Sequence, residues 1–194
     1  MWSDLDTHPE VSVIIVTHNS TRCLGSCLTA LRKQGVVMQL IIVDNASLPT
    51  EAPILDDNEN GELILNTRNK GFAPAVNQGL ERARAPYVLL LNPDVYLEPG
   101  ALRLLLTFLE ANPQRAAASP RMWWDAEHTA LLPLTAVPSL ALLVARVVAG
   151  RLQIARTLLG RWWIASRKRL WFAQEPFAVP AIAGGCVLIA KSVL

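Results

Sequence analysis

Apolar side chains in the N-terminal part of the chain form short continuous runs, separated by stretches in which they recur every three or four residues. The continuous runs are too short for helices and predict strands buried on both faces of a sheet. The recurring pattern, as at Leu24, Cys27, Leu28 and Leu31, is typical of amphipathic helices. The predicted strands are Val11–Val16, Leu40–Val43, Leu63–Leu65, Tyr87–Leu91 and Ala116–Ser119.

Helices are predicted between these strands from residues that commonly start and stop helices, such as serine, proline and glycine. The predicted helices begin at Ser20 or Thr21, at Phe72 and after Pro99, and they end at Gly35, Ala85 and Pro113. Strands that alternate with helices in this way predict an α/β fold, with a mostly parallel sheet and flanking helices.

Polar residues follow the carboxyl ends of four predicted strands, with Thr17 and Asn19 after the first, Asp44 after the second, Asn66 after the third and Asp94 after the fourth. Open α/β sheets bind ligands at this edge, so we expect a single polar site there, with Asp44 and Asp94 on the same edge. A carboxylate such as that of Asp94 is a suitable ligand for Mg²⁺ or Mn²⁺ when the ion bridges a protein and a diphosphate.

The pattern changes after Pro120, where an uncharged run at 129–145 precedes a basic segment with interleaved tryptophans at 146–169. Residues 1–114 carry 13 acidic and 8 basic side chains, whereas residues 115–194 carry 3 acidic and 10 basic ones. The uncharged run contains two prolines and is shorter than the ~20 residues of a membrane-spanning helix. Two interpretations of the basic segment are open: it binds the anionic inner face of a membrane, or it is a helical excursion packed on its own domain. No motif for nucleic-acid recognition is present.

The length suits one domain, which we divide into four parts. These are an N-terminal tail at 1–10, an α/β half at 11–120, the basic and apolar helical excursion at 121–178, and the start of a second half at 179–194. Residues 179–190 predict a strand entered through Gly184 and Gly185, which indicate a close backbone approach. Three cysteines do not make a disulfide framework, and the acidic N-terminal sequence is not typical of a signal peptide, so we expect a cytoplasmic protein.

Four groups of residues together resemble glycosyltransferase family 2 with the Rossmann-like GT-A fold, in particular its rhamnosyltransferase-like branch. They are VSVIIVTHNS, IIVDNAS, NKGFAPAVNQG followed by YVLLLNPDV, and AGGCVLIAK, in this order. The resemblance implies transfer of a sugar from a nucleotide-diphosphate sugar to a hydroxyl of a glycan or glycolipid acceptor, with inversion at the anomeric carbon. It also implies a role in cell-surface polysaccharide or glycolipid synthesis.

The resemblance assigns roles to individual residues of the donor site. Its donor-binding positions are Thr17 and Asn19 beside the nucleotide, Asp44 at the base, Arg68, Asn69 and Gly71 over base and ribose, Asn77 on the next helix, Asn92 in the acidic motif, and Gly184 and Gly185 beside donor sugar and acceptor. Asn92-Pro93-Asp94 stands in place of the family's DXD motif, with Asp94 as the ligand of Mg²⁺ or Mn²⁺. A metal ion there would stabilise the departing diphosphate as a Lewis acid.

The general base that the family implies is an acidic residue after the glycine pair, and the sequence has no Asp or Glu after Gly185. We therefore expect the base beyond Leu194, a truncated enzyme, and slow sugar transfer by this chain alone. The alternative is a non-catalytic nucleotide-sugar-binding or assembly protein of the same fold. A nucleotidyltransferase would carry a glycine-rich phosphate loop after the first strand, where this sequence has no glycine before Gly25.

Overall fold

The computed structural model describes residues 8–55, 61–130, 173–179, 181–182 and 184–194. The chain divides into two compact units, of which the first is Met1–Pro120 with Gly184–Leu194 and the second is Arg121–Ala183. The strands and helices that position the candidate site all belong to the first unit.

A six-stranded sheet forms the centre of the first unit, in the order β3-β2-β1-β4-β6-β5. Its strands are β1 (Val11–Thr17), β2 (Met38–Asp44), β3 (Gly61–Leu65), β4 (Tyr87–Leu91), β5 (Ala117–Ala118) and β6 (Cys186–Ala190). β1 is parallel to β2 and β4, and β2 is parallel to β3, whereas β6 is antiparallel to β4 and β5. The predicted α/β fold with a mostly parallel sheet is therefore confirmed.

The helices of the first unit are α1 (Thr21–Arg32), α2 (Phe72–Arg82) and α3 (Ala101–Ala111), with a short 3₁₀ turn at Lys191–Val193. Every residue of β2 is buried, as expected for a central parallel strand covered on both faces. α2 packs on β1 and β2, and Gly79 permits this close approach. A Cβ atom at position 79 would lie 2.6 Å from Cγ2 of Ile14, so a larger residue would push the helix away from the sheet.

A buried polar network fixes the connection from α2 to β4. Ser12 Oγ donates a hydrogen bond of 2.7 Å to Gln39 Oε1, and it accepts hydrogen bonds from the amides of Arg84 and Ala85 at 3.1 and 3.0 Å. Gln39 Nε2 donates to the carbonyl of Arg82 at 2.9 Å. Since unpaired buried polar groups are costly, this network holds the connection that leads into β4 in one position.

The structure corrects the predicted extent of several elements. α2 ends at Arg82 rather than Ala85, because the amides of Arg84 and Ala85 bond to Ser12 instead of continuing the helix. The strand predicted at 179–190 is confined to Cys186–Ala190, and the residues described at 181–182 are not in a strand. β3 begins at Gly61 and is only half-buried, because it lies at the edge of the sheet with a single neighbouring strand.

The described part of the second unit includes a tight turn at 123–130. The carboxylate of Asp125 accepts hydrogen bonds from the amides of Thr129 and Ala130, at 3.0 and 2.9 Å from Oδ1. A hydrogen bond from the Thr129 hydroxyl, together with these backbone bonds, holds the pKa of Asp125 below its usual range. The basic segment at 146–169 and its predicted helical character lie outside the described residues. None of the helices in the described ranges has the length and apolar character needed to cross a bilayer.

Candidate active site

A cleft of about 540 Å³ opens beside the carboxyl ends of β1, β2 and β4. The register aligns Thr17 of β1 with Asp44 of β2, and Ile15 of β1 with Leu91 of β4, so the residues after all three strands emerge at one edge. The predicted placement of Asp44 and Asp94 on the same edge of the sheet is confirmed by this pairing. The lining residues of the cleft are Val16, Thr17, His18, Asn19, Ser20, Cys23, Asn45, Asn69, Gly71, Phe72, Asn92, Pro93 and Asp94.

The structure gathers six of the eleven predicted site residues in the lining of this cleft: Thr17, Asn19, Asn69, Gly71, Asn92 and Asp94. The other five residues lie outside the lining: Asp44, Arg68, Asn77, Gly184 and Gly185. Arg68, Asn77 and Gly184 are exposed. The carbonyl of Gly185 accepts a 2.9 Å hydrogen bond from the backbone N–H of Asn92. This bond connects the start of β6 with the segment after β4.

Asp44 lies below the surface of the cleft and is only 3% exposed. Its Oδ1 accepts hydrogen bonds from the hydroxyls of Thr17, at 3.0 Å, and Ser47, and its Oδ2 accepts one from the amide of Ser47 at 3.0 Å. Ser47 Oγ in turn accepts a 2.8 Å hydrogen bond from the backbone N–H of Asn19, a residue with a positive φ of 52°. The carboxylate therefore holds together the segments that follow β1 and β2.

Asp94 contrasts with Asp44 because it is exposed. No residue that the structure describes donates a hydrogen bond to its carboxylate. The backbone before it is fixed, since the carbonyl of Asn92 accepts a 3.2 Å hydrogen bond from the amide of Val95 and lies 3.8 Å from the sulfur of Cys27. Burial, followed by the charges of Asp94 and Cys23, raises the pKa of the Cys27 thiol to about 12. Cys27 is therefore a neutral packing residue at physiological pH.

The residues present fit a divalent ion held jointly by protein and ligand. Across the described residues, no three His, Cys, Asp or Glu side chains are grouped so that they could hold a metal by themselves. Mg²⁺ usually keeps several waters and binds through one or two carboxylates plus the phosphates of its substrate. An exposed carboxylate with unengaged oxygens, such as that of Asp94, matches this mode of binding.

Seven lining residues were not among the predicted site residues: Val16, His18, Ser20, Cys23, Asn45, Phe72 and Pro93. Phe72 is 51% exposed at the first position of α2, directly after Gly71, which places an aromatic ring in the lining of the cleft. Its position next to Gly71 was a signal that could have identified it. Asn45 is 3% exposed, and only the structure shows that its amide joins several segments.

Comparison with known families gives a match over nearly the whole chain, since the family model described as "Glycosyl transferase family 2" matches residues 12–194. The succinoglycan biosynthesis protein ExoO of Rhizobium meliloti is 26% identical over 145 residues, which are 68% of this chain and 42% of that protein. A chondroitin synthase of Escherichia coli is 28% identical over 102 residues, which are 50% of this chain and 15% of that protein.

A solved structure of similar fold is that of S. aureus TarS 1-349 in complex with UDP-GlcNAc. It superposes with a TM-score of 0.51 at 19% identity, over 67% of this chain and 37% of that one. This similarity concerns the fold and agrees with the Rossmann-like GT-A arrangement expected from the sequence. The chain spans less than half the length of each of these three proteins.

Proposed function

The chain belongs to glycosyl transferase family 2, and on that premise we propose that it binds a nucleotide-diphosphate sugar in the cleft at the carboxyl edge of the sheet. The donor sugar would be transferred to an acceptor hydroxyl with inversion at the anomeric carbon. The single observation that carries this proposal is the cleft itself, which combines the exposed carboxylate of Asp94 with the polar residues that follow β1 and β2.

The order of the strands supports one orientation of the donor. Asp94 follows β4 on one side of β1, whereas Asn69, Gly71 and Phe72 follow β3, which lies past β2 on the other side of β1. A diphosphate at Asp94 would therefore direct its nucleoside toward Asn69 and Phe72. Thr17 and Asn19 lie between these two ends, since they belong to the end of β1 and the segment after it.

The leaving nucleoside diphosphate carries negative charge, and that charge must be stabilised where it develops. A divalent ion, Mg²⁺ or Mn²⁺, would supply Lewis-acid stabilisation when bound between Asp94 and the diphosphate. Asn92 and its hydrogen bond to Gly185 hold the segment that carries Asp94 in place. This fixed backbone would keep the carboxylate in place beside a bound diphosphate, without a rearrangement during the reaction.

A second candidate is a non-catalytic nucleotide-sugar-binding protein of the same fold. The acceptor hydroxyl needs a general base on the face of the sugar opposite the leaving group. Asp94 is the one carboxylate among the described residues that line the cleft, and it is assigned to the metal. Binding of the donor without transfer would be the signature of this second candidate.

The acceptor that we propose is a glycan or glycolipid of the cell surface. Two related proteins carry names that refer to polysaccharide synthesis, the succinoglycan protein ExoO and the chondroitin synthase, at 26% and 28% identity. The finer assignment to the rhamnosyltransferase-like branch rests on Asn92-Pro93-Asp94, in which Asn occupies the first acidic position of the family's motif.

The test is a titration with UDP, GDP and dTDP in the presence of Mn²⁺, followed by incubation with the matching nucleotide sugars and a panel of acceptors. The expected result is nucleotide binding with slow but measurable sugar transfer, and a product whose anomeric configuration is inverted when examined by NMR. Binding without transfer would favour the second candidate. Absence of binding for every nucleotide would contradict both proposals.

We also propose that the basic segment at 146–169 binds an anionic membrane surface, on the basis of its sequence alone. Surface electrostatics of this kind weaken when salt shortens the screening length. Vesicles that contain anionic lipid should bind the chain in low salt and release it in high salt. Replacing Arg167, Lys168 and Arg169 by Gln should reduce the binding, and binding that ignores both salt and these changes would favour the packed excursion.

A further inference from the structure

The segment at 69–71, which lines one end of the cleft, is held in place by the side-chain amide of a residue outside the segment, Asn45. Asn45 Nδ2 donates hydrogen bonds to Asn69 Oδ1 at 2.8 Å and to the carbonyl of Gly71 at 3.1 Å. Asn45 Oδ1 accepts hydrogen bonds from the amide of Lys70 at 2.9 Å and from Asn66 Nδ2 at 3.4 Å. One buried side chain thus contacts three consecutive residues of this segment.

The segment needs such support because its own conformation is unusual. Gly71 has a φ of 86°, a value that side chains other than glycine rarely adopt. α2 begins directly after it, and no side chain caps the helix by a hydrogen bond. Asn69, Lys70 and Gly71 are all exposed, so the polar groups of this turn would otherwise exchange between conformations in water.

The amide of Asn45 has no capacity left for a ligand. A side-chain amide offers two N–H donors and an oxygen that accepts two hydrogen bonds. Both donors have partners at 2.8 and 3.1 Å, and the oxygen has two partners at 2.9 and 3.4 Å. With a side chain only 3% exposed, Asn45 acts on a ligand through the segment that it holds rather than by direct contact.

We propose that Asn45 is a positioning residue of the donor cleft, whose buried amide holds residues 69–71 in the conformation that receives the nucleoside of the donor. The inference rests on the proposed function, because it assigns the nucleoside to the Asn69–Phe72 end of the cleft. Preorganising a loop increases affinity, since the ligand no longer bears the cost of ordering it. An aspartate could not replace Asn45 in this role at neutral pH, because its oxygen would face the oxygens of Asn69 and Gly71 without a proton to donate.

The experiment compares Asn45→Asp and Asn45→Ala with the wild-type chain in titrations with UDP, GDP and dTDP plus Mn²⁺. At about pH 7.5 both variants should bind about tenfold more weakly. The acid introduced by Asn45→Asp faces two oxygens, which raises its pKa above the ordinary value of about 3.9. Toward about pH 5 it becomes protonated and regains a donor, so its affinity relative to wild type should recover severalfold, whereas that of Asn45→Ala should not.

The ionisable groups near position 45 are Asp44 beside it, His18 in the same cleft, and Arg68 and Lys70 in the segment that Asn45 contacts. The Asn45→Ala chain keeps all of these groups and adds no acid, so it is the reference for the pH dependence of Asn45→Asp. A matched control is Asn112→Asp at the end of α3, where Nδ2 donates to the carbonyl of Phe108 at 2.8 Å. This variant should keep wild-type nucleotide affinity at both pH values. Urea unfolding of each chain identifies any loss that reflects global stability.

A second measurement does not need a ligand. Hydrogen exchange of the Lys70 amide, which donates to Asn45 Oδ1, should be about tenfold faster in Asn45→Ala than in wild type. Wild-type affinity in both Asn45 variants, or an affinity loss in Asn45→Asp that lower pH does not reverse, would overturn the positioning role while leaving the proposed function intact. A wild-type chain that binds none of the nucleotides would overturn both.

Discussion

The two sides of the cleft differ in how many of their polar groups are already engaged within the protein. On the side of β2, the Asp44 carboxylate and the Asn45 amide are each 3% exposed and have hydrogen-bond partners on several segments. On the side of β4, the Asp94 carboxylate is exposed, and it accepts no hydrogen bond from the residues that the structure describes.

This difference separates residues that shape the cleft from residues that can bind a ligand. A carboxylate or amide whose hydrogen bonds are satisfied internally stabilises one loop conformation and so preorganises the site. A carboxylate with unengaged oxygens is available to a metal ion or a ligand. Under the proposed function, the β2 side would be the scaffold of the nucleoside end, and the β4 side would supply the charge that faces the diphosphate.

On the β2 side, Asp44→Asn is expected to have an effect as large as that of the Asn45 variants. The new amide would turn an N–H group toward one of the donors on Thr17 or Ser47, so one buried hydrogen bond would be lost. Losing it should lower the free energy of unfolding by about 1–3 kcal/mol. Nucleotide affinity should fall about tenfold, by the same factor with and without metal. Calorimetric titration with UDP, GDP and dTDP, alongside urea unfolding, measures both quantities.

Asp125→Asn is the matched control for that variant. Asp125 also accepts hydrogen bonds from the amide and hydroxyl of one residue in a turn, Thr129, but it belongs to the second unit. Its replacement should leave nucleotide affinity unchanged. An equal loss of affinity in the two variants would mean that Asp44 has no special connection with the cleft.

A smaller effect is expected from Phe72→Ala, which removes the aromatic ring at the proposed nucleoside end. Stacking of a base on an aromatic side chain contributes about 1–3 kcal/mol, so nucleoside diphosphate affinity should fall at least about fivefold. Affinity for inorganic diphosphate should stay the same, because that ligand has no base. Since the ring is 51% exposed, the free energy of unfolding should change little. An equal loss of affinity for inorganic diphosphate and for the nucleoside diphosphates would contradict a contact between Phe72 and the base.

The smallest effect is expected from chemical labelling of the three cysteines, which compares one thiol in the cleft with two buried thiols. Cys23 is exposed and lines the cleft, whereas burial raises the pKa of the Cys27 and Cys186 thiols to about 12. Iodoacetamide near neutral pH should label Cys23 alone, and bound nucleotide should slow the reaction. Mass spectrometry of the labelled peptides gives the site and rate. Rapid labelling of Cys27 would contradict the described packing.

The raised thiol pKa values also predict how stability depends on pH. Below the ordinary thiol pKa of about 8.5, folded and unfolded chains both keep these protons. Above it, the unfolded chain loses protons that the folded chain still holds, so the free energy of unfolding should decrease up to about pH 12. Replacing Cys27 by Ala should reduce that decrease, and urea unfolding at increasing pH measures it.

The parallel core of the fold could be predicted from the sequence because each of its strands is recognisable from a short stretch of consecutive residues. The continuous apolar runs of β1 and β2 and the polar residues after them, such as Thr17 and Asp44, are visible in the chain itself. The antiparallel position of β6 between β4 and β5 was not predictable in the same way. It depends on pairing between residues about one hundred positions apart, as between Leu91 and Cys186.

The location of the candidate site could be predicted from the sequence. Which of its residues form hydrogen bonds within the protein, and which are left available to a ligand, was less predictable. Without the family resemblance, the sequence does not distinguish Asp44 from Asp94, since each is a carboxylate at a strand end. They differ only through the partners that the fold brings to them, the Thr17 and Ser47 hydroxyls for Asp44. Asn45 was overlooked for the same reason, because its hydrogen bonds reach residues 21 to 26 positions away.

The most direct test of this division is the metal dependence of nucleotide binding in wild type, Asp94→Asn and Asp44→Asn, with Glu110→Gln on the exposed face of α3 as a control. Titrations with UDP, GDP and dTDP with and without Mn²⁺ should show a gain in affinity from the metal of about tenfold or more in wild type, Asp44→Asn and Glu110→Gln. Asp94→Asn should lose that gain and match the metal-free wild type. The same gain from metal in Asp94→Asn as in wild type would contradict the assignment of Asp94 as the metal ligand, and with it the contrast between the two sides of the cleft.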